Sequence, residues 1–415
     1  MPELEITAMT LGPYGVAHLD GKAVMVPNAA PGDLLDAHIE VQRRDHAIAR
    51  IERILRPGSD RREPPCRFLP RCGGCDWQQI DYDAQMRLKG ELIAAAFAHT
   101  LDYRCDARGL VEPAPADFGY RARIRLKCDR GRLGFHEQRT NAVVPIDRCL
   151  VAADDLRIPM ELAQALGSRC AEIEVVSGAR GNVLVVDLTR APTPADRASV
   201  QGITSSIQGV AGIVLRGGGA RHVIGDAIIS IEVETGCEIE GEADLFSQVN
   251  RAQNRKLVES VLASAALRPG MRVLDLFCGT GNLSLPSARR GADVTGVDAD
   301  PLAIEAARRN AARMRLDATQ FIASRATEAV DFLRRSRYRP DLAIVDPPRV
   351  GALDLMEPVA RMRAARIIYV SCETLTLVRD LHVLLNNGYR IVKVRAFDFF
   401  PNTHHAEVVA HLLLT

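Results

Sequence analysis

The chain has 415 residues, 47% hydrophobic and 25% charged, with a formal net charge of +1. At roughly 100–200 residues per domain this length predicts two to four domains, and a charge so close to zero excludes a uniformly basic coat, so any surface for a polyanion has to be local. No apolar run reaches the roughly 18 residues of a membrane helix, and the acidic start Met1-Pro2-Glu3-Leu4-Glu5 lacks the basic and apolar regions of a secretory signal, so a cytoplasmic protein without a membrane partner is expected.

Residues 1–56 carry short alternating segments broken by turn residues, as in Gly12-Pro13-Tyr14-Gly15, Asp20-Gly21 and Pro31-Gly32-Asp33. Gly, Pro and Asp supply the φ values and local hydrogen bonds that turns require. A small β-barrel of short strands is the reading, with a β-meander that binds no ligand as the alternative and RNA binding as one use open to the barrel. A Pro-rich charged linker, 56–65, follows. Tyr82 to Thr100 then has helical spacing, with Met86, Leu88, Leu92, Ile93, Ala96 and Phe97 apolar.

Cys66-x5-Cys72-x2-Cys75 lies between linker and helix. In a reducing compartment such a cluster is a metal-ligand set that needs a fourth member. Zinc and iron–sulfur clusters both accept four thiolates, and spacing alone does not separate them.

Residues 105–240 are rich in strands. In Tyr120-Arg121-Ala122-Arg123-Ile124-Arg125-Leu126-Lys127 a period of two puts Arg121, Arg123, Arg125 and Lys127 on one face. Four like charges repel unless they face a polyanion, so these residues are candidate RNA phosphate contacts.

From 241 onward strands alternate with Ala-rich helical segments, the pattern of an α/β doubly wound parallel sheet. Asp275-Leu276-Phe277-Cys278-Gly279-Thr280-Gly281-Asn282 ends one strand and opens a helix, and Asp298 ends the next strand. Glycines let a backbone approach a cofactor closely, and an acid at the second strand end accepts ribose hydroxyls. The third glycine of the dinucleotide fingerprint is missing, which favours S-adenosylmethionine over a nicotinamide. Asp346-Pro347-Pro348-Arg349 sets a carboxylate on a rigid turn after another strand. Cys372 follows the apolar strand Arg366–Ser371, at the edge where open α/β sheets bind ligands. Glu407, His404 and His405 are candidate bases, and residue type does not choose among them.

These motifs resemble the RNA (uracil-5-)-methyltransferase family, in its iron–sulfur and TRAM-containing subgroup, across essentially the whole chain. The resemblance implies three parts: an OB-like, RNA-binding TRAM barrel over 1–56, a β-rich iron–sulfur central domain over 57–240 whose helix 82–100 is expected to pack on the catalytic domain, and a Rossmann-like methyltransferase domain over 241–415. It implies Cys372 as nucleophile, Glu407 as general base, and Gln248, Phe277, Asn282, Asp298 and Asp346 as S-adenosylmethionine contacts. A [4Fe–4S] cluster held by Cys66, Cys72, Cys75 and Cys149 is implied, the last through Val143-Val144-Pro145-Ile146-Asp147-Arg148-Cys149. The implied reaction is methylation of uridine C5 in 23S ribosomal RNA by a monomer, with transfer RNA or another ribosomal uridine as rival substrate. Two further functions compete with it: a cytosine-5 enzyme, and a non-catalytic RNA-binding or ribosome-assembly factor. Glu373-Thr374 stand where the family usually has Asn-Pro, and the extra carboxylate is expected to raise the thiol pKa.

Overall fold

The computed structural model describes residues 2–204 and 207–415. Its N-terminal unit is one curled six-stranded sheet. Glu3–Glu5 pairs with Leu34–Gln42, and Ala8–Met9 pairs with Tyr14–Leu19. Between them Ile6 donates to Asp33 O and Thr7 to Val16 O, so a single segment joins both margins of the sheet. Alternation drives the curl: Glu3 and Glu5 face water while Leu4 and Ile6 enter a core with Val24, Val26 and Leu35. The following linker is latched to this unit. Buried Asp33 accepts from Ala30 N, Gly58 N and the Arg61 guanidinium. A Cβ at Gly58 would fall 2.0 Å from Pro31 O, which explains the glycine.

A seven-stranded sheet spans 123–225. Its strands Arg123–Asp129, Cys170–Val176 and Asn182–Leu188 pair antiparallel. This arrangement corrects the reading of the basic strand as four bare charges. Glu172 lies opposite Lys127 and Glu174 opposite Arg125. Both glutamates are buried, and they pair with Arg123 (3.0 Å), Arg125 (3.2 and 3.3 Å) and Lys127. Arg123 is itself buried and donates to Leu245 O and Ala243 O. Cross-strand carboxylates, not a polyanion, relieve the repulsion. Arg121 lies before this strand, bridged to Ala152 and Asn250.

The C-terminal sheet has eight strands. In spatial order these are Gln320–Ala323, Asp293–Asp298, Arg272–Leu276, Leu342–Val345 and Arg366–Ser371, all parallel, then Glu407–Leu414, Tyr389–Phe397 and Val111–Glu112. Glu407–Leu414 runs antiparallel to both of its neighbours. The central parallel strands are buried along nearly their whole length, as a sheet covered on both faces requires.

Two elements from earlier in the chain complete this unit. The hairpin Ile228–Glu234/Cys237–Glu242 packs Ile231 and Val233 against Leu257 and Val258 of the helix Arg251–Ala265. The unit therefore draws on residues before 241. Helix Tyr82–Leu101, N-capped by Asp81, packs Ile93 and Phe97 into the same core as Leu377 and Leu381 of helix Thr374–Asn386. Its Lys89, 2% exposed, donates to the buried Asp398 at 2.6 Å. No helix among the described residues is long and apolar enough to cross a membrane.

Candidate active site

Strands Arg366–Ser371 and Glu407–Leu414 are in register with Ser371 opposite Val408. The pair just beyond, Cys372 and Glu407, therefore emerges side by side at the carboxyl edge of the sheet. Burial pushes the half-buried Cys372 thiol up to about 11, and the Glu407 and Asp346 carboxylates add to this. Arg349 opposes them by charge and by a hydrogen bond to the thiol. Burial, then the charge of Asp346, holds Glu407 well above the usual carboxylate range, again opposed by Arg349. Nothing in the Asp-Pro-Pro-Arg motif itself gives Arg349 a role; only the fold brings it to both groups. The carboxylates acting on the thiol are thus Glu407 and Asp346. Glu373 instead accepts from Leu375 N at 3.4 Å and caps the next helix.

The other two candidate bases differ sharply from Glu407. His404 Nδ1 lies 2.6 Å from Asp76 Oδ2, and its backbone N–H donates to Asp76 Oδ1 at 3.0 Å. Burial first, then the charge of His404, pushes His405 down to about 3, so its imidazole is neutral. It lies against His404 and Phe400.

A cavity of about 50 Å3 reaches Asp346, whose charge acts on both Cys372 and Glu407; Gln248, Phe277 and Asn282 line it with Asp346, together with Asn254 and Gly279. Phe277 (φ 67°) and Gly279 (φ 53°) turn the chain at the strand end, and a Cβ on Gly279 would meet nothing within 4 Å. Asn282 and Asn254 exchange amide hydrogen bonds of 2.8 and 3.0 Å. Asn254 carried no signal in sequence, because its meaning lies in this pairing. Asp298 stands apart from the cavity lining and fixes the turn by accepting from Gly279 N and Asp300 N, both at 2.9 Å. Burial raises Asp346 to about 7, and the nearby Asp275, bonded to Ser284 at 2.5 Å, is raised to about 7 in the same way. An open-sided pocket with a carboxylate and amides suits a cationic, ribose-bearing cofactor.

Cys66, Cys72, Cys75 and Cys149 line one further cavity, also of about 50 Å3, with Gln78 and Arg121 in its wall. Burial raises Cys72 to about 11 and Cys75 to about 12, and each of these thiols feels Cys149. Among the described residues no group of three His, Cys, Asp or Glu side chains forms a single-ion site. The Nε of Arg121 and Oε1 of Gln78 are buried without a hydrogen-bond partner. Four thiols with an arginine at the wall of their space are a donor set that an anionic iron–sulfur cluster fits, and four thiolates also suit zinc. This cavity reaches the loop that precedes Glu407. Arg121 lies 5.6 Å from the Phe400 ring, and Asp76 N and Trp77 N donate to Asn402 O at 3.2 and 3.0 Å.

Comparisons with known proteins bear on the family and the fold. Residues 235–414 match the family model described as tRNA (Uracil-5-)-methyltransferase. A Pseudomonas putida protein named 23S rRNA (uracil(1939)-C(5))-methyltransferase RlmD is 32% identical over 98% of this chain and 92% of its own length. A Methylococcus capsulatus protein of the same name is 33% identical over 95% of this chain and 93% of its own. The crystal structure of Pyrococcus abyssi tRNA (uracil-54, C5)-methyltransferase with S-adenosyl-L-homocysteine shares the fold, with a TM-score of 0.76, 24% identity and 99% coverage of both chains.

Proposed function

Since the chain belongs to the S-adenosylmethionine-dependent RNA (uracil-5-)-methyltransferases, we propose that its substrate is a uridine of 23S ribosomal RNA and that Cys372 and Glu407 carry the chemistry. The observation behind this reading is their adjacency on antiparallel strands beside the Asp346 cavity. The names of full-length relatives support the ribosomal substrate.

C5 of uracil is a weak nucleophile. The Cys372 thiolate adds to C6, and the electron pair of the C5–C6 double bond moves toward O4, giving an enolate with nucleophilic C5. S-adenosylmethionine supplies the electrophilic methyl group that C5 takes. Glu407, as carboxylate, then removes the C5 proton, the double bond re-forms, and the thiolate leaves. Arg349 is the cation that favours the thiolate and the carboxylate these steps require. Asp346, Gln248, Phe277 and Asn282 would hold the cofactor, while Asp298 shapes the glycine turn beside it. C6 must meet Cys372 while C5 meets the methyl group and Glu407, so the uridine is taken out of its stack. Cys66, Cys72, Cys75 and Cys149 would hold a [4Fe–4S] cluster, which would tie the cysteine loop together, since methyl transfer moves no electron through it.

The test uses anaerobically purified protein, methyl-labelled S-adenosylmethionine, and ribosomal and transfer RNA from a strain lacking the gene. Labelled 5-methyluridine at one 23S site, absent with Cys372→Ala, is expected. Label confined to transfer RNA would overturn the ribosomal assignment and keep the chemistry.

A further inference from the structure

On the catalytic unit, a groove of about 460 Å3 is lined by six arginines: Arg334, Arg335, Arg337, Arg339, Arg361 and Arg363. In a chain of net charge +1 this is a strong local concentration. Asp331 pairs with Arg334 and Glu357 with Arg361. Arg335, Arg337, Arg339 and Arg363 are exposed, and among the described residues none has a carboxylate partner.

Helix ends explain part of this. Ala326–Arg335 and Leu353–Arg361 both finish at the groove, and cations suit helix C-termini. Arg337, Arg339 and Arg363 lie beyond those helices. Arg337 (φ 58°) and Arg363 (φ 56°) also hold left-handed conformations, which glycine adopts without strain and arginine does not. Arg130, Arg139 and Arg315 hold the same conformation elsewhere, so it is the crowding of unpaired cations in one groove, not their backbone, that points to a ligand. One helical turn from Arg335, Phe332 stands 64% exposed. Guanidinium forks bind phosphate bidentately, and an exposed aromatic beside them offers a stacking face for a base.

The groove lies on the edge of the sheet away from the chemistry. Arg339 precedes strand Leu342–Val345, and Arg363 precedes Arg366–Ser371; those strands end at Asp346 and Cys372. At about 3.3 Å per residue the two edges are roughly 20 Å apart. An RNA segment in this groove therefore lies on the opposite edge of the domain from a uridine at Cys372.

We propose that this groove binds the phosphate backbone of an RNA segment remote from the methylated uridine, so that a long, folded RNA is held at two places. This rests on the reading of the substrate as a large RNA. The test compares wild type with Arg337→Gly/Arg363→Gly and with Arg337→Glu/Arg339→Glu/Arg363→Glu. Binding to a 23S rRNA transcript and to a short uridine-containing stem-loop is measured across salt concentrations, with thermal melting alongside. The glycine variant is expected to melt at the wild-type temperature or above, yet to bind the transcript more weakly. The triple variant is expected to bind the transcript at least about tenfold more weakly, with its salt slope lower by about 2 to 3. Stem-loop binding and methylation stay unchanged in both. Unaltered transcript binding, or an equal loss on both RNAs, would overturn the proposal. Unaltered transcript binding with lost affinity for polyglutamate would overturn it in favour of an acidic protein partner. Should the wild type methylate neither RNA, the substrate reading fails, and the transcript affinities still decide the groove.

Discussion

Asp76 holds His404 at two points, through its ring nitrogen at 2.6 Å and its backbone N–H at 3.0 Å. Asp76 is the neighbour of Cys75, and His404 lies three residues before Glu407. One side chain therefore fastens the cysteine loop to the loop that leads into Glu407. Hydrogen bonds to a charged group contribute about 1.5–3 kcal/mol each. Asp76→Ala is expected to lower stability by about that amount in urea titration. It is also expected to lower kcat more than the affinity for S-adenosylmethionine, because the cofactor cavity does not include His404.

In the proposed mechanism Cys372 would open the covalent cycle and Glu407 would close it, so their variants should fail differently. Cys372→Ala should form no protein–RNA adduct. Glu407→Gln should add to the uridine and methylate it but retain the C5 proton, so a methylated adduct accumulates. Denaturing gels with labelled RNA distinguish the two, and an equal lack of adduct in both would remove Glu407 as the base.

Arg349 should reveal itself in a pH profile. The thiol in the free protein is pushed up to about 11, so only a small fraction is thiolate at neutral pH, and alkylation by iodoacetamide at Cys372 should accelerate as pH rises. Arg349→Ala withdraws the cation that favours the thiolate. The profile should move to higher pH, with slower alkylation at pH 8. A profile unchanged from wild type would free Arg349 of this role.

Asp346 predicts the pH dependence of cofactor binding. Its folded value of about 7 lies above the ordinary aspartate value of 3.8, so it is protonated in the fold through the mildly acidic range. Its contribution to stability is present at low pH and lost as pH rises through about 7. A cationic cofactor prefers the ionised form, so affinity measured by calorimetry should fall as pH drops below about 7. Asp346→Asn should flatten most of that dependence, leaving what Asp275 contributes.

Cys72→Ala should remove the brown absorbance of anaerobically purified protein, together with much of its iron and solubility. One zinc and no iron per wild-type chain, by elemental analysis, would overturn the cluster assignment.

What the sequence made legible was local. Strand Arg366–Ser371 announced itself by a continuous apolar run, and helix Tyr82–Leu101 by its spacing, because in each case the residues themselves carry the pattern. The basic strand misled for the opposite reason. Its alternation is real, but Glu172 and Glu174, which neutralise it, lie some distance along the chain, and sequence alone does not pair strands. The same limit hid Arg349, Asn254 and Asp76, single polar residues whose partners are brought by tertiary structure. Cys372 and Glu407 were implied by family resemblance, while their adjacency waited on the register of two strands.

The packing of helix Tyr82–Leu101 on helix Thr374–Asn386, with Val111–Glu112 bordering Tyr389–Phe397, bears on how the chain is made. The early helix leaves the ribosome with Ile93 and Phe97 exposed, and the surface that covers them is synthesised last. At about 5–20 residues per second that interval is on the order of 15–55 s. Until then only nearby residues such as Tyr103, Leu110 and Val111 are at hand to cover Ile93 and Phe97. The catalytic half closes only when the final strands arrive.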